Sequence, residues 1–348
     1  MKLLVLLLLV APAAHAQRFT KLEEELIFSD PPFKQCHAST IIETPGNKLL
    51  VACFGGSHEG NKDVAIWTTE KNSTWSKTVK VAGDESYPCW NPVLFRTQKG
   101  KLFLFYKAGP NPREWWGLYK TSANNGITWS EAIKLPNGIL GPIKNKPVQL
   151  KDGTILSPTS VEVTENRWQA YLERSTDEGQ SWQVTPIDTA SPFRVIQPSV
   201  LQYANGRLQV LCRSNQNRVV TSWSDDKGLS WSKLDTTQLL NPNSGTDAVT
   251  LKSGWQLIVY NPGLQGKDWS NSRGKLAVAV SKDGITWKDV LLLENGDDRN
   301  EYSYPAVIQT KDGRIHITYT FNRKNVKHVV LREDKKAGTD QVPALSQH

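Results

Sequence analysis

Residues 224–231 read SDDKGLSW, and the same grammar returns as STDEGQSW at 175–182, SANNGITW at 122–129, SKDGITW at 281–287 and, in degenerate form, TTEKNSTW at 68–75. The shared pattern is Ser-x-Asp-x-Gly-x-Thr/Ser-Trp. It describes a tight turn: the acidic or amide side chain bonds the backbone around it, Gly supplies a positive φ, and Trp anchors the turn in apolar packing. The closing tryptophans, at 75, 129, 182, 231 and 287, fall 54, 53, 49 and 56 residues apart, the mark of an array of like units.

A second repeat raises the number of units to six. Hairpin signals, a Gly followed by an apolar β run, stand at Gly46, Gly100, Gly153, Gly206, Gly254 and Gly313. Each unit reads as three strands, a Ser-x-Asp turn and an outer strand, which is one four-stranded blade, so the fold class is all-β, a six-bladed β-propeller. The sixth unit lacks the turn, and its outer strand is expected from the N-terminal residues 19–28, closing the ring.

Residues 1–16 carry one early Lys, the run LLVLLLLV and Ala-His-Ala before Gln17, the pattern of a secretory signal peptide cleaved after Ala16. The expected layout is a leader over 1–16, a propeller over 17–335 and a tail over 336–348, in a secreted or periplasmic monomer without a membrane anchor. The formal net charge of +8 is spread along the chain rather than gathered in a stripe, which excludes nucleic acid and favours an acidic small ligand. Cys36, Cys53, Cys89 and Cys212 lack metal-ligand spacing and read as buried free thiols, with a Cys36–Cys89 bridge as the alternative. No metal cluster or nucleotide loop stands out, so no cofactor is expected.

In a propeller the innermost strands begin at the face where ligands bind. Counted back nine or seven residues from the hairpin glycines, these strands present His37, Asn91, Lys146, Gln197, Asp247 and Tyr304, whose shared odd parity puts them on one strand face. Around this ring the loops add His58, Trp115, Trp116, Arg213, Trp269, Arg273 and Arg323. Paired tryptophans suit sugar stacking and arginines suit a carboxylate. Asp247, Tyr304 and His37 fall on consecutive blades five, six and one, a carboxylate, a phenol and an imidazole expected to form one catalytic unit.

These residues resemble the sialidase superfamily, whose Ser-x-Asp-x-Gly-x-Thr-Trp turns are called Asp boxes or BNR repeats. The likeness spans the mature chain. Arg213, Arg273 and Tyr304 match two carboxylate-binding arginines and the tyrosine nucleophile of that superfamily. The first arginine of its triad would stand where Cys36 and His37 are, its glutamate base aligns with Gln197, and its aspartate acid falls on Gly55 and Gly56. The resemblance implies a carbohydrate-active enzyme, an exo-glycosidase on an acidic oligosaccharide or polysaccharide. A lyase on uronic-acid glycans and a non-catalytic glycan-binding propeller are the alternatives.

Overall fold

A computed structural model describes residues 19–267 and 272–334. The leader, Trp269 and the C-terminal tail lie outside the described residues. Six four-stranded antiparallel sheets follow one another along the chain, each ordered from an inner to an outer strand. The inner strands are Gln35–Thr44, Cys89–Arg96, Val148–Gln149, Val195–Gln202, Asp247–Thr250 and Tyr302–Gln309. In the last blade Phe19–Leu26 pairs antiparallel with Asn325–Glu333, so the N-terminal strand closes the ring as the missing sixth turn requires.

The box turns tie each blade to the one before it. Within the turn of blade four, Ser224 Oγ donates to Asp226 Oδ1 (2.8 Å) and accepts from the Gly228 amide (2.9 Å), while Asp226 Oδ1 also accepts the Ser230 amide (2.9 Å). Gly228 sits at φ +82°, and a Cβ there would lie 3.3 Å from Leu156 of blade three. The corresponding glycines of blades two, three and five face Leu50, Phe103 and Tyr203, each on the preceding blade. Box tryptophans fill the same seams: Trp129, Trp182 and Trp231 flank inter-blade clusters, and Trp287 is buried within one. Trp287→Ala should therefore lower unfolding stability by about 3–5 kcal/mol in a denaturant titration and leave the specific activity of the folded fraction unchanged.

Each box turn follows the third strand of its blade, at the end opposite the start of the inner strand, which keeps these turns on the outer rim away from the channel mouth. All four cysteines are buried free thiols. The neighbour of Cys36 is Cys53 rather than Cys89: burial, then a hydrogen bond from Cys36, pushes the Cys53 thiol well up. No helix among the described residues is long and apolar enough to cross a membrane.

Candidate active site at the channel mouth

The inner strands enter the mouth through bulges. Pairing slips between His37 and Thr40, Trp90 and Val93, Ile196 and Ser199, and Ser303 and Ala306. At each slip one residue takes a left-handed backbone: Ala38, Asn91, Gln197 and Tyr304, with φ between 37° and 55°. For Gln and Tyr, each also followed by Pro, that conformation costs about 1–3 kcal/mol, a strain that re-aims both side chains into the mouth.

The bulges divide the sequence-derived ring into two levels. Each inner strand ends in a turn closed by an amide-to-carbonyl bond, such as Thr97 to Lys101, Leu150 to Thr154, Tyr203 to Arg207, Leu251 to Trp255 and Thr310 to Arg314. Counting back from these turns aligns Asn91, Gln197 and Tyr304 with Lys144 and Gly245, whereas Lys146 and Asp247 align with Ser199 and Ala306, about 6 Å further down the strand. A Cβ on Gly245 would meet Lys144, Tyr304 and Gln197 at 3.0–3.3 Å, which puts those four residues at one height. In blade one the aligned residue is Ala38, not His37, because Gly46 sits one place earlier in its turn than the other hairpin glycines do. Thus Asn91, Gln197 and Tyr304 share the upper level, Lys146 and Asp247 lie beneath, and His37 stands one residue above.

Asp247 is only 2% exposed and fully engaged. Its carboxylate accepts from Lys146 Nζ (2.8 Å), Ser199 Oγ (3.1 Å) and the amides of Ala248 (2.9 Å) and Val307 (2.8 Å), joining blades three to six below the mouth. Lys144 extends from the same level toward Tyr304. Its Nζ donates to Asn145 Oδ1 (2.9 Å), Thr246 O (3.0 Å) and Pro305 O (2.6 Å), and lies 5.7 Å from the Tyr304 ring centroid.

Burial pulls the Lys144 amine down to about 7, against the pull of Asp247. The unfolded chain keeps that proton to about pH 10.4. Between those values the unfolded state binds more protons, so the Lys144 contribution makes stability rise with pH. Lys144→Met should flatten the rise in unfolding free energy above about pH 7, by up to about 1.4 kcal/mol per pH unit, in urea titrations across that range.

Tyr304 is the centre of the upper level. Its hydroxyl accepts from Arg213 Nη1 (2.6 Å) and, at 3.4 Å, from the amide of Gln197. His37, from the neighbouring blade, packs its ring 4.1 Å from that of Tyr304, and its Nδ1 bonds Thr320 Oγ1 (2.7 Å). Burial, and then Arg323, Arg273, Lys144 and Arg213, hold the imidazole well below its usual range, so it is neutral at pH 7.

Arg213 Nε donates to Asn243 Oδ1 (2.8 Å), while Arg273 reaches Asn243 O (3.3 Å) and Glu301 (3.2 Å). Arg323 brings a third guanidinium from the hairpin turn of blade six. Its carbonyl accepts the Cys36 amide (2.8 Å), which sets it beside the start of the first inner strand, where the arginine triad of the sialidase pattern lacks its first member. Its side chain bridges Glu301 (2.8 Å) and Glu59. Against burial, these two carboxylates raise the Arg323 guanidinium, and Arg323 and Arg273 hold Glu301 down.

An aromatic wall continues the site toward blade two. Trp115 meets Trp90 edge-on at 6.0 Å, Trp90 meets Phe54 at 6.3 Å, and Phe54 meets His37 at 5.6 Å. Trp116 instead packs on Tyr87 (5.3 Å) and under Lys134. His58 is exposed, and its neighbour Glu59 is the loop residue that engages Arg323. Three contributors escape a sequence reading of the ring. Asn243 lies in the NPNSG loop leading into blade five. Lys144 is overshadowed by Lys146. Glu162 is a carboxyl raised by burial, an effect that Arg213 and Arg113 oppose. Among the described residues no group of three His, Cys, Asp or Glu could hold a metal ion.

Six four-stranded blades, with box turns on the outer rim, make the chain a six-bladed propeller whose mouth gathers arginines around a tyrosine. The chain belongs to the BNR repeat-like domain family, whose model matches residues 47–317. A crystal structure of a protein of unknown function from Dyadobacter fermentans DSM 18053 is similar at TM-score 0.76 and 14% identity, covering 91% of this chain and 99% of that one. A mutant of the NanB sialidase from Streptococcus pneumoniae is similar at TM-score 0.69 and 13% identity, covering 88% of this chain and 70% of that one. Trypanosoma rangeli sialidase is similar at TM-score 0.69 and 18% identity, covering 86% of this chain and 55% of that one. At these identities the likeness is one of fold. No curated protein sequence matches the chain.

Proposed function

We propose that the protein is an exo-glycosidase that grips the carboxylate of a terminal acidic sugar at the channel mouth and cleaves its glycosidic bond. The observation that carries this reading is Arg213. Arg213 is 8% exposed, its side chain donates to Asn243 and to the Tyr304 hydroxyl, and among the described residues it has no carboxylate within ion-pair distance. A buried charge without a counter-charge is costly, and an incoming carboxylate relieves that cost with a two-pronged hydrogen bond. Lys144 and the Asp247 cluster lie beneath the Tyr304 backbone, and action on a chain end is part of this reading.

In this reading Tyr304 is the nucleophile. His37 accepts its proton through Nε2, since Nδ1 is taken by Thr320. Glu162, whose carboxyl is raised by burial, is the acid for the leaving oxygen. Asp247 is a positioning residue under the site. The reading includes an extracytoplasmic location, which rests on the leader-like residues 1–16.

Elimination is the second reading, favoured by one feature: a neutral imidazole packed 4.1 Å from the phenol ring, beside guanidiniums that would neutralise a uronate and acidify its α-proton. Product analysis of a digest of acidic oligosaccharides separates the two. Release of a saturated terminal monosaccharide supports the hydrolase, and an ultraviolet-absorbing unsaturated uronate supports the lyase. Binding without any product leaves a glycan-binding propeller.

A further inference from the structure

On the same face as the mouth, between blades three and four, lies a cavity of about 400 Å³. Its size falls in the range of small-molecule sites, about 300–1,000 Å³. Arg167 and Trp168 reach it from the hairpin between the second and third strands of blade three. Thr189, Ser191 and Arg194 come from the segment that crosses into blade four.

Three features suit a sugar here. Arg194 Nη1 donates to Asn166 Oδ1 (2.9 Å), and neither Arg194 nor Arg167 has a carboxylate within ion-pair distance among the described residues. The half-buried Trp168 offers an indole wall, and its N–H is buried without a hydrogen-bond partner. Asp188 also lines the cavity, its carboxylate accepting the Leu234 amide (2.9 Å), and the surrounding hydroxyls and backbone supply further polar contacts.

The cavity is also coupled to the mouth by one strand. Arg194 immediately precedes Val195–Gln202, the inner strand that delivers Gln197 to the Tyr304 hydroxyl. Arg194 stands three residues before Gln197, about 10 Å along the strand, the reach of a short oligosaccharide.

We propose that this cavity is a second subsite, which binds an inner acidic sugar of the glycan whose terminal sugar occupies the mouth. Arg167 and Arg194 hold the inner carboxylate, and Trp168 lies against the ring face. The subsite makes the protein a reader of chain length. The proposal rests on the mouth being an acidic-sugar site, and its test separates the two.

The probes are α2,8-linked sialic acid oligomers and oligogalacturonates of one to six units, titrated calorimetrically into Tyr304→Phe protein so that they stay intact. For the class that binds, affinity should rise by at least about tenfold between one and four units. In the added Arg167→Ala/Arg194→Ala pair that gain should vanish while monosaccharide affinity is kept. The change in tryptophan fluorescence that accompanies oligomer binding should be lost in Trp168→Phe. Equal affinity at all lengths, or a gain that survives the double replacement, overturns the subsite. Binding unaffected by Arg213→Lys but abolished by the double replacement would leave the subsite standing and remove the mouth reading. Absence of binding by both probe series at every length overturns both.

Discussion

Tyr304→Phe is expected to lower turnover of an acidic oligosaccharide by at least about 100-fold while leaving the unfolding midpoint near that of the wild type. The replacement removes one oxygen. The ring contact with His37 stays, as does the packing over Lys144, and Phe carries the same left-handed backbone strain that Tyr carries at φ 52°. What is lost is the hydroxyl held 2.6 Å from Arg213 Nη1. His37→Ala should show a loss of similar order, and the double replacement should cost little more than either single one, because the two side chains act in one step. Turnover within about tenfold of wild type in Tyr304→Phe would remove the phenol from the chemistry.

Asp247→Asn should do the opposite, lowering stability by about 3 kcal/mol or more while the folded protein retains turnover within about tenfold. The carboxylate is buried and receives four donors from blades three to six. An amide in its place leaves Lys146 without its counter-charge and turns an N–H toward existing donors, which is the costly way to break a buried ion pair. Urea unfolding and steady-state kinetics on the same preparation separate the effects. A loss of at least about 100-fold in turnover at unchanged stability would return Asp247 to the catalytic unit with Tyr304 and His37.

The contrast between these two residues marks how far the chain could be read without coordinates. Box turns and hairpin glycines are local, self-contained signals, so blade number and order were legible from their period. The closing N-terminal strand followed from the one missing turn. Depth at the mouth was not legible in the same way. Counting from the hairpin glycines treats nine and seven residues as one face of a strand, and the bulges at Asn91, Gln197 and Tyr304 turn that difference into two levels. Lys146 and Asp247 thereby change places with Lys144 and Gly245. Arg323 illustrates another limit: it reaches the place of the first arginine from a hairpin nearly 290 residues away, guided by its backbone bond to Cys36. In the loop of blade one, His58 and Glu59 are adjacent in sequence, and only side-chain direction tells that Glu59 is the one meeting Arg323.

The central claim is that the mouth is built around a ligand carboxylate, and it is tested most directly by titrating an acidic saccharide and its carboxyl-reduced counterpart into the wild type and Arg213→Lys. Binding of the acidic form to the wild type should exceed that of the reduced form by at least about tenfold. Arg213→Lys keeps the charge but loses the planar fork, so it should weaken the acidic form by about 1.5–3 kcal/mol and change the reduced form little. Equal affinity of the wild type for the two saccharides would contradict the account.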